Sequence, residues 1–215
     1  HCSLLDELGK VGAISGVCDR QYIKVPTLQE GLDNGNIADC GNHTAPNIEA
    51  IIQLNPDAIL LSPYQNSGDF GKVGKLNIPI IQCADYVETS ALGRAEWVKF
   101  YGLLFGCEKE ASQLFETTAN RYNELKEKAE TLVNRPIVLS DTRYGQIWYV
   151  PGASSTTARL YNDAGGKNPF DYLGQIGSVA LSPEQVLDKA NNADVWIIKY
   201  NRPKAMTLPQ MVEAN

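Results

Sequence analysis

Residues 47–64 read Asn-Ile-Glu-Ala-Ile-Ile-Gln-Leu-Asn-Pro-Asp-Ala-Ile-Leu-Leu-Ser-Pro-Tyr, and residues 182–200 follow the same pattern as Ser-Pro-Glu-Gln-Val-Leu-Asp-Lys-Ala-Asn-Asn-Ala-Asp-Val-Trp-Ile-Ile-Lys-Tyr. Each copy starts with a typical helix N-cap, has a Glu two positions later, and continues through a short helical pattern to an Asp, an apolar run and a Tyr. The apolar run is typical of a parallel strand covered on both faces. The repeat predicts an equivalent helix and strand in each half of the chain.

The glutamate of each copy, Glu49 or Glu184, lies in the first turn of its predicted helix. A carboxylate at this position complements the helix dipole and contributes about 0.3–1 kcal/mol. Ser182 and Gln185 also have the spacing of a capping box. Two exposed carboxylates, one in each half, would equally form a matched pair of docking points, and the sequence alone leaves both roles open.

Short apolar runs alternate with helical patterns along the rest of the chain. The predicted strands are Ala13–Val17, Ala58–Leu61, Ile78–Gln82, Ile137–Leu139, Ile147–Val150 and Val195–Lys199. The predicted helices are Ser3–Leu8, Thr27–Asp33, Ile48–Leu54, Ala91–Phe105, Glu108–Val133, Ser155–Ala164 and Pro183–Ala190. This alternation predicts βαβ units and a doubly wound α/β fold.

The helix predicted at Glu108–Val133 is longer than the others. Its apolar positions recur at spacings of three and four and form one stripe: Ala111, Phe115, Thr118, Tyr122, Leu125, Ala129 and Leu132. At 1.5 Å per residue it would be on the order of 40 Å long, which exceeds the width of a small domain. We therefore expect an N-terminal lobe at 1–107, a connecting helix at 108–134 and a C-terminal lobe at 135–215. An ordinary amphipathic surface helix is the alternative.

Composition excludes several classes of protein. With 19 Lys and Arg against 25 Asp and Glu, the formal net charge is −6, which argues against nucleic acid as a partner. No apolar run approaches the roughly 18–20 residues of a membrane span. The five cysteines contain no C-x-x-C pair, so we expect small buried side chains rather than a zinc or redox motif. With two histidines, no metal site is predicted, and no cofactor.

Catalytic motifs are also missing from the sequence. Residues 68–75 resemble a phosphate-binding loop, but the spacing is one residue too long, and Leu76 occupies the place of the required Ser or Thr. No G-x-S-x-G elbow occurs. We therefore expect a protein that is not an enzyme. The alternative is an α/β enzyme acting on a phosphorylated or nucleotide-like small molecule.

Aromatic and cationic residues lie just past the predicted strand ends or on neighbouring helices. In open α/β sheets, ligands bind outside the carboxyl ends of the strands. Aromatic walls with a few cations suit a large flat or chelated anionic ligand, although any single position could be ordinary packing. The candidate ligand-binding residues are Tyr64, Tyr86, Arg94, Arg143, Tyr144, Trp148 and Arg159.

Four segments together resemble a known family: residues 46–61, 92–100, 150–166 and 181–187. They are similar to the periplasmic substrate-binding proteins of ABC importers for ferric siderophores, haem and cobalamin. The resemblance implies two Rossmann-like lobes joined by a single long helix around a cleft (the class III architecture). It implies an iron(III)-siderophore chelate, haem or a corrinoid as ligand. It also implies that Glu49 and Glu184 pair with arginines of the ABC permease.

The resemblance also sets expectations about the whole protein. Members of the family usually have a strand before the position of His1 and continue past Asn215, so we expect a chain truncated at both ends. A periplasmic location follows, with membrane anchoring through a leader or lipid outside this chain. We further expect a monomer, and only small rigid-body motion, because one helix connects the lobes.

Overall fold

The computed structural model describes residues 1–62, 70–199 and 205–213. Contacts divide the chain into two units. Unit 1 consists of His1–Val87 and Glu96–Glu116, and unit 2 of Glu88–Ala95 and Thr117–Asn215. The lobe boundaries expected from the sequence, at 107 and 135, stay a prediction.

Unit 1 is built from short helices and parallel strand pairs. Its helices are α1 (Cys2–Glu7), α2 (Pro26–Asp33) and α3 (Ile48–Leu54). Its strands are β1 (Gly16–Val17), β2 (Ala38–Asp39), β3 (Gly41–Asn42), β4 (Ala45–Pro46), β5 (Ile59–Leu61) and β6 (Ile80–Gln82). Strands β1 and β2 are parallel, as are β5 and β6, while β3 and β4 form an antiparallel hairpin. The core contains the fully buried Leu28, Tyr101 and Cys83.

Two helices belong to both units: α4 (Ala91–Leu104) and α5 (Glu108–Glu130). Helix α5 has 23 residues, about 34 Å, and ends three residues earlier than predicted. In unit 1, a Cβ on Gly102 would lie 2.4 Å from the Cβ of Ala111, so glycine is what lets α4 and α5 approach this closely. In unit 2, the Tyr122 hydroxyl donates to Asp163 at 2.7 Å.

The predicted apolar stripe of α5 is buried near both ends of the helix but not along its whole length, and its last residue, Leu132, lies beyond the helix and is 49% exposed. Ala111 and Ala129 are buried, whereas Thr118 is exposed and Leu125 is 57% exposed. The helix packs against unit 1 through its first turns and against unit 2 through its last turns. Between these contacts, part of the predicted stripe faces solvent.

Unit 2 combines a parallel strand pair with an antiparallel sheet. Its strands are β7 (Val138–Ser140), β8 (Arg143–Tyr144), β9 (Ile147–Pro151), β10 (Ser178–Leu181) and β11 (Val195–Ile197). Its helices are α6 (Thr156–Asp163), α7 (Pro183–Ala190) and α8 (Leu208–Glu213). Strand β11 pairs with β7 in parallel, and β8, β9 and β10 form an antiparallel sheet in the order β10-β9-β8. The sequence predicted β9 but neither β8 nor β10.

The core of unit 2 lies between its sheets and α7. Val150, Phe170 and Val186 are almost completely buried, and Trp148 packs with them. Beside this core, a Cβ on Gly152 would lie 2.3 Å from the Gln175 carbonyl oxygen. Because that neighbour is backbone and cannot rotate away, only glycine lets the loop after Phe170 close against the end of β9.

Among the described residues, no helix has both the length and the apolar character of a membrane span. All five cysteines are free. Cys40, Cys83 and Cys107 are buried as expected, whereas Cys2 and Cys18 are only partly buried.

Candidate functional site

The two glutamates of the sequence repeat occupy the same position in their helices. Glu49 is the second residue of α3, after the N-cap Asn47, and Glu184 is the second residue of α7, after the N-cap Ser182. Both glutamates are exposed. Two residues after each glutamate, an apolar side chain is buried in the core of the same unit: Ile51 in unit 1 and Val186 in unit 2. Each unit therefore has one exposed carboxylate in the first turn of a helix, and a buried apolar residue of the same helix packs into the core of that unit.

Side-chain caps fix the first turn of each helix. In α3, the Asn47 side-chain oxygen accepts from the Ala50 backbone N–H at 3.1 Å. In α7, Ser182 Oγ accepts from the Gln185 N–H at 3.3 Å. The Gln185 side chain in turn accepts from the Ser182 N–H at 2.9 Å, which completes the capping box predicted from the sequence.

The electrostatics of α7 keep its carboxylate charged. A hydrogen bond from the Ser182 hydroxyl, together with the backbone N–H of Glu184, lowers the pKa of the Glu184 carboxyl below its ordinary 4.5. Donors that bind the ionised form favour it over the protonated form. Glu184 therefore presents a negative charge to solvent over the whole neutral range.

Charged side chains follow the ends of β7 and β11. Asp141, directly after β7, adopts a left-handed conformation with φ 59°. Its carbonyl accepts from the Trp196 indole N–H at 2.7 Å, and its carboxylate binds the Lys199 ammonium at 3.1 Å. These bonds fix the point from which the β8–β9 hairpin leaves the parallel pair.

The β8–β9 hairpin brings together three of the predicted ligand-binding residues. Arg143 pairs with Trp148 across the hairpin, and Tyr144 pairs with Ile147. Arg143 is exposed and Tyr144 is 84% exposed, so both side chains are open to solvent. Trp148 is only 5% exposed, and its indole N–H donates to the Ser140 carbonyl at 2.9 Å. In this arrangement Trp148 is part of the core of unit 2.

The list of candidate ligand-binding residues does not include Tyr149, the neighbour of Trp148. Tyr149 and Ile147 lie on the opposite face of β9 from Trp148 and are exposed together with Tyr144. The alternation of side chains along a strand was the available signal, because a buried Trp148 requires Tyr149 to point outward. The exposed face of the hairpin thus consists of Tyr144, Ile147 and Tyr149.

The remaining predicted ligand-binding residues are distributed over both units. Tyr86 lies in a short 3-10 helix of unit 1, and Arg94 lies in the part of α4 that belongs to unit 2. Arg159 is exposed on α6. Against the effect of burial, hydrogen bonds from Tyr122 and Lys126, with a smaller contribution from the charge of Arg159, lower the pKa of the Asp163 carboxyl. Tyr64 lies outside the described residues, as does Tyr200 at the end of the second copy.

A family comparison identifies the class of protein. A sequence model of the periplasmic binding protein family matches residues 3–215, nearly the whole chain. The chain belongs to the periplasmic binding protein family. Its members bind substrates rather than transform them, so the expectation that the protein is not an enzyme is confirmed. The alternative of an α/β enzyme falls with the same finding.

Relatives of this periplasmic binding protein occur in Methanocaldococcus jannaschii. One uncharacterized lipoprotein from that organism is 29% identical over 199 residues, which are 90% of this chain and 47% of the relative. A second uncharacterized lipoprotein is 26% identical over 198 residues, 89% of this chain and 50% of the relative. The chain therefore spans about half the length of these curated relatives.

Solved structures agree with the family assignment. The siderophore-binding protein of Vibrio cholerae, bound to Fe3+–Desferal, superimposes with a TM-score of 0.70 at 20% identity, over 94% of this chain and 76% of that one. The periplasmic haem-binding protein of Vibrio cholerae gives a TM-score of 0.74 at 18% identity, over 99% and 78%. At these identities the likeness establishes the fold. The expected α/β class with a long connecting helix is confirmed.

Within residues 1–62, 70–199 and 205–213, no group of three or more His, Cys, Asp and Glu side chains is placed to hold a metal ion. The ring of His43 instead contacts the carboxylate of Asp19 at 2.5 Å, and His1 contacts the Tyr101 hydroxyl at 2.5 Å. Both imidazoles of this periplasmic binding protein therefore contact other protein side chains.

Proposed function

We propose that this chain is the substrate-binding component of an ABC importer that captures an iron(III)-siderophore chelate, haem or a corrinoid and delivers it to the membrane permease. The observation that carries the proposal is the matched pair of carboxylates. Glu49 and Glu184 are exposed at the same helix position, one in each unit. A protein that must present both of its units to one partner needs such a pair of contacts.

The chemistry of the pair suits arginines on the permease. Charge-assisted hydrogen bonds between guanidinium and carboxylate are shorter and stronger than neutral ones and set the orientation of two partners. Because each helix is anchored by a buried residue, Ile51 or Val186, docking would not have to order the carboxylate-bearing turn first. The pair would therefore contribute to recognition more than to the stability of the fold.

The ligand class is supported by the exposed residues of unit 2 and by the structural neighbours. Tyr144 and Tyr149 supply aromatic surface for a large flat ligand on one face of the β8–β9 hairpin, and Arg143, exposed on the other face, would supply a cation to a ligand carboxylate that reaches around the hairpin. Two similar structures are described as binding Fe3+–Desferal and haem. Tyr86, Arg94 and Arg159 remain further candidates for the same ligand.

The location and partners of the protein belong to the same proposal. The relatives in Methanocaldococcus jannaschii are named lipoproteins, which supports a protein held at the outer side of a membrane by a lipid or leader. The net charge of −6 favours a monomer that does not bind nucleic acid. The permease subunits would be its macromolecular partner.

Titration of the purified protein with a ferric siderophore, haemin and cobalamin tests the ligand class. We expect saturable binding of one class, detected by quenching of tryptophan fluorescence and by its visible spectrum. Arg143→Ala and Tyr144→Ala should each weaken that binding about tenfold, or about 1.4 kcal/mol. Matched controls in unit 1, Arg20→Ala and Tyr22→Ala, should leave affinity unchanged. Binding of none of the three ligands would refute the proposal.

A further inference from the structure

We propose that Cys18 and Cys40 are a disulfide-forming pair, which a disulfide oxidant outside the cytoplasm converts into an intramolecular bond. Both thiols are free in the structure. The bond would belong to unit 1 alone and would not depend on which ligand the protein carries.

Each of the two cysteines directly follows one strand of a parallel pair. Strands β1 and β2 run parallel with Val17 opposite Asp39, so the next residue of each strand is a cysteine. The Cys40 N–H donates to the Val17 carbonyl at 2.8 Å, so Cys40 is still bonded to β1, and the Asp19 N–H donates to the Gly41 carbonyl at 2.7 Å, one residue beyond its place in a regular ladder. Neighbouring strands lie roughly 4.8 Å apart, within the Cα separation of about 4.4–6.8 Å that disulfides span.

The side chains also share one environment. Cys18 packs against the hydrophobic cluster formed by Cys40, Ile51 and Val73. The thiol of Cys18 lies 3.6 Å from the carbonyl oxygen of Cys40 itself. The Cys18 thiol therefore already lies beside the Cys40 backbone, in the cluster that contains the Cys40 side chain.

Two of the other cysteines have different neighbours. Cys83 lies in a cluster with Leu5 and Tyr101, and its thiol contacts the Ile81 carbonyl at 3.8 Å. Cys107 precedes α5 and is buried. Strand pairing therefore favours Cys18 and Cys40 over these other combinations.

The chemistry is thiol–disulfide exchange, and exposure assigns the order of its steps. The partly exposed Cys18 attacks one sulfur of the oxidant as a thiolate, forms a mixed disulfide and releases the first thiol of the oxidant. The buried Cys40 then attacks Cys18 Sγ and releases the second thiol. The pair loses two electrons and two protons, and the oxidant is reduced to two thiols.

The surroundings of the thiols determine how readily the bond is broken again. Burial, with the charges of Cys40, Asp19 and Asp39, raises the pKa of the Cys18 thiol to about 11. Burial, with the charge of Asp39, also raises the pKa of the Cys40 thiol. Thiols of high pKa leave slowly when a disulfide is attacked. The bond should therefore form slowly and resist reduction, as a structural disulfide does.

The bond would fasten the part of unit 1 that leads into α3. It would close the loop from Cys18 to Cys40, which contains α2, and it would lie in the same cluster as Ile51 of α3. Because Glu49 lies on α3, oxidation would stiffen the base of one docking carboxylate. This consequence rests on the proposed docking role, and exposure to the oxidant rests on the proposed location, whereas the pairing of the two cysteines rests on neither.

The experiment is disulfide mapping of the purified protein after treatment with oxidised glutathione. We expect the thiols that react with N-ethylmaleimide after denaturation to fall from five to three, because two of the five cysteines are consumed. Unreduced peptides should link Cys18 to Cys40. The Tm should rise by roughly 5–10 °C over that of the reduced protein.

Single cysteine variants distinguish a bond between Cys18 and Cys40 from other disulfides. Cys40→Ala should accumulate a glutathione adduct on Cys18, whereas in Cys18→Ala the Cys40 thiol should remain largely unmodified, because it is buried. The control Cys2→Ala should still form the bond. A link that involves any other cysteine, or five alkylated thiols in the oxidised protein, would overturn the proposal. Mapping of the unaltered protein decides the question even if a variant folds poorly.

Discussion

Helix α3 in unit 1 and helix α7 in unit 2 have the same layout but not the same bonding. In both, the second residue is an exposed glutamate and the fourth is a buried apolar residue. Helix α7 has a reciprocal capping box with Gln185, whereas α3 has Ala50 at the equivalent position and a single cap bond. The helices also end differently, since Asn55 after α3 is left-handed and Asn191 after α7 is not.

What the two helices share is therefore the placement of a carboxylate, and what differs is the way each helix is stabilised. If the glutamates served only to complement the helix dipoles, stability alone would account for them, and the better-capped α7 would need its glutamate less. A common external partner accounts for the shared position without requiring shared bonding. Variants of the buried anchors, of the caps and of the capping Ser182 test these similarities and differences in turn.

Removal of the buried anchors should have the largest effect. Ile51→Ala should cost about 2–4 kcal/mol and Val186→Ala roughly 2 kcal/mol, because each leaves a cavity under its helix. Chemical denaturation measures the loss, and hydrogen exchange of peptides from each unit shows where the protection is lost.

The next residue along each helix provides the control. Ile52 and Leu187 are each 55% exposed, so Ile52→Ala and Leu187→Ala should stay within about 0.5 kcal/mol of the unaltered protein. Equal losses of unfolding free energy at the anchor positions and at the control positions would show that the buried residues do not anchor the two helices.

Caps should have intermediate effects and should distinguish the helices. Asn47→Ala and Ser182→Ala should each cost about 1 kcal/mol, because each leaves a backbone donor of the first turn without its acceptor. Gln185→Ala converts the capping box of α7 into the simpler design of α3 and should cost a few tenths of a kcal/mol. Hydrogen exchange at the first turn of each helix is the measurement, and Asn47→Asp, which keeps an acceptor, is the control.

Titration of Glu184 should show the smallest effect. Because its pKa is lowered, the ionised carboxyl stabilises the fold above the ordinary value of 4.5, and this contribution is lost as the pH falls through the lowered value. NMR of the side-chain carboxyl should give a midpoint below 4.5. In Ser182→Ala the midpoint should move up towards 4.5, and an unchanged midpoint would assign the shift to another donor.

Local sequence patterns were sufficient to predict much of the structure of α3 and α7. The bounds of α3 and α7, their caps and the capping box follow from residues within one turn, and the structure confirms them. The same holds for the start of α5 at Glu108. Caps and short amphipathic helices depend on neighbours in sequence, so the chain alone contains the information.

Features that depend on distant partners were not predictable in the same way. Strand β10 forms because β9, about thirty residues earlier, offers its edge, and nothing within residues 178–181 specifies that partner. The inward orientation of Trp148 depends on the Ser140 carbonyl that receives its N–H. Leu125 belongs to the amphipathic pattern of α5. It is exposed because the surfaces that bury this helix lie near its two ends, at Ala111 and Ala129.

Uptake of ligand into proteoliposomes that contain the cognate ABC permease tests the matched carboxylates most directly. The double variant Glu49→Ala/Glu184→Ala should bind ligand with unchanged affinity but lower the uptake rate about tenfold or more, because both charge-assisted contacts are lost. A control with one exposed carboxylate removed per unit, Glu30→Ala/Asp188→Ala, should support uptake at the original rate. Undiminished uptake by the double variant would contradict the docking role of the pair.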